Sequence, residues 1–227
     1  MTEPDPSPAR AALDGGIVTI DVVSDVVCPW CYLGKRRLEA AVAMADGPVA
    51  IHWRPFQLDP TVPPTGLERQ AYLQNKLGDQ VKIDAIHDRL TETGAAVGIP
   101  FAFDRISRAP NTLDAHRLIR WAATTGRQEA VVEALFSAYF IEGQDIGDRK
   151  ILVGLAGTAG LDATLVHRLL MSGTDEADTR AEIASAVRLG VSGVPFFIFA
   201  GKYAVPGAQD ASVLAGAIAK ARTESLA

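Results

Sequence analysis

Cysteine is scarce in this chain, with two residues among 227, too few for the disulfide framework that holds small extracellular domains together. Long apolar runs are missing as well. No stretch approaches the roughly 20 apolar residues needed to cross a bilayer. The opening MTEPDPSPARAALDGG has neither the basic start nor the apolar segment of an export signal. No run of Lys and Arg is longer than Lys35-Arg36-Arg37, and a net charge of -5 gives no electrostatic footprint for nucleic acid or an anionic membrane. Together these absences predict a cytoplasmic location with no nucleic-acid and no membrane partner. In that reducing setting a surviving cysteine pair serves catalysis or metal binding rather than as a structural staple. No internal repeat is present, and the only biased tract is residues 1–14, whose prolines and lack of periodicity predict a disordered tail.

What is present is apolar bulk. With 48% hydrophobic residues the chain can bury a large core, and its length suits one large domain or a small domain carrying an insertion. Residues 17–23, IVTIDVV, are β-branched and apolar on both faces, as in a strand buried within a mostly parallel sheet. Leu33, Leu38, Ala41, Val42 and Ala45 then recur at helical spacing, which predicts a helix from Pro29 to Met44 that stops at Gly47-Pro48. Val49, Ile51 and Trp53 alternate with Ala50, His52 and Arg54, the period of a second strand. Strand, helix and strand make a βαβ unit.

Residues 54–66, RPFQLDPTVPPTG, hold four prolines and cannot sustain a ladder, so a long loop is expected. Helical texture follows over about 67–78, 80–96, 112–125, 128–142, 148–158, 162–171 and 174–189, the last with Thr174 as its expected cap. Residues 196–199 return to strand composition, 203–205 pair back as a hairpin, and a helix spans 210–222. The expected architecture is an α/β domain of residues 15–61 and 191–227, interrupted by an all-helical insertion over 62–190.

Both cysteines lie in VSDVVCPWCY. Cys28 follows a buried strand at the start of a helix, with Pro29 in the first turn, where a missing N–H costs nothing. Unpaired backbone N–H groups and the helix dipole favour a thiolate there, which makes Cys28 the candidate nucleophile. Cys31, one turn deeper, is placed to attack a mixed disulfide on Cys28 and release its substrate. Neither Pro29 nor Trp30 carries positive charge, so a couple short of the strongly oxidising extreme is expected. A zinc site would need two further ligands, and neither a second Cys-x-x-Cys nor a His-x₃₋₅-His occurs. No metal is expected.

SDVVCPWCYLGK, with GVSGVPFFIF and VPGAQ far downstream, resembles the DsbA-like thioredoxin-fold oxidoreductases of the FrnE type, over about residues 16–222. The resemblance implies a thioredoxin fold interrupted by the helical insertion, thiol–disulfide exchange through Cys28 and Cys31, and a possible homodimer. It also implies a cis bond at Val194-Pro195 facing the cysteines, with the Val194 backbone available to a bound thiol substrate, protein or small molecule. Independently, an X-Pro bond at the start of a strand is where a cis bond is affordable and an extended ligand can pair. The same superfamily holds 2-hydroxychromene-2-carboxylate isomerases and kappa-class glutathione transferases, which typically carry serine where this chain has Cys28. A glutathione-dependent isomerase or transferase acting on a small aromatic or polyketide-type molecule is therefore the alternative. In such relatives Gly207-Ala208-Gln209-Asp210 would meet the γ-glutamyl end of glutathione, which makes Gln209 and Asp210 candidate contacts for glutathione as a co-substrate. No bound cofactor is required.

Trp30 cannot easily be buried beneath the helix that displays it, and is read as part of the substrate surface. Phe56 either walls the same groove or packs its own loop. His116, on the apolar side of its helix, is either a satisfied core histidine or a group that tunes Cys28. His52, His87 and His167 receive no role, and Asn111 is read as a cap or turn residue. Phe101, Phe103, Phe196, Phe197 and Phe199 are expected in the core.

Overall fold

A computed structural model of the chain describes residues 16–225; the tail expected over 1–14 lies outside the described residues. Strand β1 (Val18–Ser24) runs parallel to β2 (Val49–Pro55), with Ile20 opposite Ile51 and Val22 opposite Trp53. On its other side β1 pairs antiparallel with β5 (Phe196–Phe199), and β5 pairs antiparallel with β6 (Tyr203–Pro206). The order β2-β1-β5-β6 is a mixed sheet, not the mostly parallel one expected from the composition of β1. That strand reads as apolar because packing covers one face along its length and the other at its end: Val18 and Ile20 are fully buried, and Val22, Val23 and Ser24 nearly so, while Thr19 is exposed. Burial on both sides leaves the same signature whichever way the neighbours run.

Helix α1 (Pro29–Met44) connects β1 to β2, and the final helix α9 (Ala211–Ser225) packs along it. Between β2 and β5 lie α2 (Arg69–Leu77), α3 (Gln80–Ala95), α4 (Leu113–Ala123), α5 (Gln128–Phe140), α6 (Arg149–Thr158), α7 (Ala163–Met171) and α8 (Glu176–Arg188). The expected helices are all present, with ends shifted by no more than three residues. One addition escaped the sequence: β3 (Leu67–Glu68) and β4 (Arg108–Ala109) form a two-residue antiparallel ladder. It displaces the start of α2 to Arg69, where the Glu68 carboxylate accepts from the Gln70 and Ala71 N–H groups. Two-residue strands are too short to leave a period.

Thr174 does not cap α8. Its carbonyl accepts 2.9 and 2.7 Å bonds from the fully buried Arg117 guanidinium, and the preceding-turn position falls to Asp175 at φ 59°. The Asp175 carboxylate is occupied by the Trp121 indole N–H at 2.8 Å. Arg117 also bonds the Leu169 carbonyl and Asp114, so one buried cation ties α4 to the α7–α8 connection.

Helix α1 meets the insertion through an aromatic stack capped by charge. Tyr32 stacks on Phe136 at 4.9 Å and meets Phe101 edge-on at 6.1 Å. Its hydroxyl donates to Glu133 at 2.9 Å. Beside it Lys35, 3% exposed, faces Glu129 at 2.6 Å, Glu133 at 2.8 Å, and Glu39. Burial pulls the Lys35 ammonium down, but the three carboxylates outweigh it and hold the pKa above the usual lysine range. Phe197 and Phe199 are fully buried and Phe101 nearly so, whereas Phe103 and Phe196 are half-buried; Phe103 instead stacks on His87 at 4.2 Å.

Burial pushes the Glu133 carboxyl up, yet Lys35, Arg36 and Tyr32 bring it below its ordinary 4.5. A lowered folded-state value stabilises the fold at pH above the unfolded value, and that contribution disappears as pH falls through the folded one. Lys35→Met is therefore expected to cost about 1–3 kcal/mol at neutral pH, discounted because the carboxylates are partly solvated. In urea unfolding at several pH values, the variant should lose less stability than wild type on acidification below pH 4.5.

Candidate active site

Strand β1 ends at Ser24, and four residues later the chain enters α1. Cys28 occupies the N-cap in extended conformation, φ -92° and ψ 112°, with Pro29 next. Its N–H donates to the Asp25 carbonyl at 3.0 Å, and its carbonyl accepts from the Cys31 N–H at 3.0 Å. Both cysteines are free, Cys28 being 4% and Cys31 1% exposed. Cys31 is thus the deeper of the two, as the helical offset requires.

The Val194-Pro195 peptide is cis, and the Cys28 thiol donates to the Val194 carbonyl at 3.6 Å. This approach is set by the face of the helix that meets β5. At Gly34 an added Cβ would lie 2.9 Å from Pro195 Cγ and 3.1 Å from Phe197 Cζ, so only a residue without a side chain lets α1 lie so close to the start of β5. The Pro195 carbonyl accepts from the Gly207 N–H at 2.8 Å, which brings the 207–210 loop to the same place. There Arg37 donates to the Ala208 carbonyl and faces Asp210 at 3.3 Å, while the Gln209 amide donates to the Pro206 carbonyl at 2.9 Å. Asp210 remains 76% exposed. Cys28, Cys31, Val194, Pro195 and the loop carrying Gln209 and Asp210 therefore converge.

Trp30 is half-buried, with the Arg89 guanidinium of α3 5.8 Å from its ring centre. Phe56 is 7% exposed and packs with Val23, Ala186 and Val191, so of its two readings the structure supports loop packing. Asn111 is a turn residue: Oδ1 accepts from the Leu113 N–H at 3.0 Å and Nδ2 donates to the Val62 carbonyl at 2.6 Å, which orders the proline-rich loop.

Sequence reasoning missed Ser24 and Asp25. Asp25 is 1% exposed; Oδ2 accepts from the Leu58 N–H at 2.8 Å, and Oδ1 lies 3.3 Å from His116 Nε2, itself 2% exposed. His116 is thus a partnered core histidine, and its partner stands three residues before Cys28. The only signal in the sequence was an acid set in an apolar strand end. Burial pushes the Cys31 thiol well above its ordinary range, the hydrogen bond and charge of Cys28 add to this, and the Ser24 hydroxyl and Asp25 backbone oppose it. Among the described residues, no three His, Cys, Asp or Glu side chains are grouped to hold a metal ion, and no helix is long and apolar enough to cross a membrane.

Comparison with known proteins places this geometry. The model of the DSBA-like thioredoxin domain matches residues 19–219. The chain belongs to that family. A protein of Bacillus subtilis, strain 168, named YwbO, is 30% identical over 202 residues, spanning 88% of this chain and 96% of its own. Among solved structures, a probable DsbA oxidoreductase of Streptomyces coelicolor, SCO1869, is 36% identical with a TM-score of 0.83, covering 91% of each chain. A 2-hydroxychromene-2-carboxylate isomerase shares the fold at 18% identity and a TM-score of 0.67, covering 92% of this chain and 99% of its own.

Gly34→Ala is expected to force α1 and the start of β5 apart, at a cost of about 1–3 kcal/mol in chemical denaturation. Gly216→Ala, at an exposed helical position with nothing within 4 Å of the new methyl, should instead be stabilising by up to about 1 kcal/mol.

Proposed function

We propose that this DsbA-like oxidoreductase exchanges thiols and disulfides, with Cys28 attacking and Cys31 resolving. The observation that carries this reading is the position of Cys28, at the N-cap of α1 and 3.6 Å from the carbonyl that precedes Pro195. A nucleophile there stands at the N-terminus of α1, the positive end of the helix dipole. The Cys28 thiolate displaces one sulfur of a substrate disulfide and leaves a mixed disulfide. Cys31 then attacks Cys28, the substrate thiolate departs with the electron pair of the broken bond, and the Cys28–Cys31 disulfide remains. The opposite direction uses the same steps in reverse.

Specificity is assigned to the surroundings of that sulfur. The Val194 backbone offers pairing to an extended substrate next to Pro195, and Trp30 with Arg89 forms one wall. Glutathione is proposed as a co-substrate, its γ-glutamyl end meeting Gln209 and Asp210, with the ammonium toward the Asp210 carboxylate and the carboxylate toward Arg37 and the start of α9. The substrate is a thiol or disulfide of a protein or small molecule, encountered in the cytoplasm. Retention of both cysteines favours exchange over the isomerase alternative, whose relatives carry serine at the first position.

The test is trapping on a disulfide substrate. Cys31→Ser, mixed with oxidised glutathione, should accumulate one stable glutathione adduct on Cys28 by intact-mass analysis and lose multiple turnover. Cys28→Ser should form no adduct. If Cys31→Ser turns over as fast as wild type, Cys31 does not resolve and the reading is wrong.

A further inference from the structure

Arg89 brings a positive charge to the redox motif from outside it. The residue is exposed on α3, and its guanidinium lies 5.8 Å from the ring centre of Trp30, two residues beyond Cys28. Among the described residues that guanidinium makes neither a salt bridge nor a hydrogen bond, so its N–H donors are open to a ligand. Contact with the face of the indole fixes where the charge sits and consumes none of those donors. Ile83 and Leu90, 2% and 1% exposed, anchor the helix beneath.

The same face of α3 repeats the sign. Lys82 lies on the row of Arg89, two turns and about 10 Å earlier. It too is exposed and, among the described residues, without a carboxylate partner. Ile86, 37% exposed, stands between the two cations. Asp84 and Asp88 lie roughly 100° or more around the helix from that row, where Asp84 accepts from the Gln80 amide at 2.8 Å. In a chain of net charge -5, a cationic row ending at the redox dipeptide is a local reversal of sign. It attracts anions over about a Debye length, roughly 8–10 Å.

We propose that Arg89 selects disulfides that carry a carboxylate beside the reacting cysteine, the substrate class being acidic cysteinyl peptides. The proposal rests on the exchange reading above. The Cys28 thiolate attacks one sulfur of such a disulfide, and the other peptide departs as a thiolate with the electron pair of the broken bond. The retained peptide pairs with the Val194 backbone while its carboxylate accepts from Arg89, a charge-assisted bond stronger than a neutral one. Trp30 is the platform that holds the guanidinium. Arg89 meets the substrate away from the reacting sulfurs and determines specificity without entering the chemistry.

The test uses the symmetric disulfides of three acetylated and amidated dipeptides, Cys-Asp, Cys-Asn and Cys-Lys, which differ in the charge next to cysteine. Each is mixed with reduced enzyme and quenched with an alkylating reagent, and the loss of the Cys28 thiol is followed by intact mass. Dividing each rate by that of free mercaptoethanol removes intrinsic reactivity. Wild type should prefer the Asp over the Asn disulfide by about fivefold or more at low salt, the scale of one hydrogen bond to a charged group. That preference should shrink at about 0.5 M salt. Arg89→Gln should abolish it while leaving the Asn peptide within about twofold of wild type, as expected for an exposed position; Arg89→Lys should keep part of it, and Arg89→Glu should shift preference to the Lys peptide. Equal slowing of all three peptides in Arg89→Gln would make Arg89 a packing partner of Trp30 and overturn the proposal, as would a wild-type enzyme that does not distinguish Asp from Asn. If Cys28 reacts with none of the three, the exchange reading itself fails.

Discussion

Contact between the backbone of α1 at Gly34 and the ring of Pro195 decides how near the redox helix can come to the sheet. Because Gly34 adds no atom to the contact, the start of β5 lies directly beneath the first turns of α1, and the Val194 carbonyl reaches Cys28. Two further constraints act on the same place. Pairing of β1 with both β2 and β5 fixes where the strand delivers the chain into the helix, and the bond from Gly207 to the Pro195 carbonyl holds the 207–210 loop alongside. Helix, strand and loop thus arrive at one point for separate reasons. A site assembled this way is stiff, since moving any member breaks packing or backbone bonds elsewhere.

The insertion completes the domain rather than hanging from it. Tyr32 and Lys35 present an aromatic ring and a buried ammonium on the side of α1 opposite the sheet, and α5 answers with Phe136, Glu129 and Glu133. Trp53 of β2 joins the same surface, its indole N–H donating to Glu129 at 2.8 Å. A second attachment runs from Asp25 to His116 of α4, and a third from Gln57 in the proline-rich loop to Asn111 at 3.2 Å. Partner carboxylates around a buried cation are costly to desolvate but costlier to leave unpaired. They therefore specify how the helices sit on the thioredoxin core, and with it the environment of Cys28 and Cys31.

Much of this was legible in the sequence, and the boundary is physical. Local signals sufficed for β1, α1, the hairpin of β5 and β6 and the helices of the insertion, because each rests on periodicity and on residues near its own ends. Cys28 and Cys31 were legible because strand, proline and helix adjoin them in the chain, and Val194-Pro195 because a proline opens an apolar strand. The direction of the strand beside β1 was not legible, since composition reports burial and not orientation. Asp25, Lys35 and Glu133 were missed for a related reason: their partners lie up to 101 residues away in the chain, and a buried charge carries no mark of its partner. Arg117 misled in the same way, taking the Thr174 carbonyl that a local reading assigned to a helix start.

The redox character of the two thiols is the claim on which the account stands. The most direct measurement is the equilibrium oxidation of the Cys28 and Cys31 pair in glutathione buffers of graded composition, with intact-mass counting of thiols at each point. A single reversible two-electron transition to an intramolecular disulfide is expected, at a potential within the range of about -270 to -120 mV spanned by thioredoxin-fold oxidoreductases. If no intramolecular disulfide forms at any composition, or Cys28 halts as a stable glutathione adduct, Cys28 and Cys31 are not a redox couple.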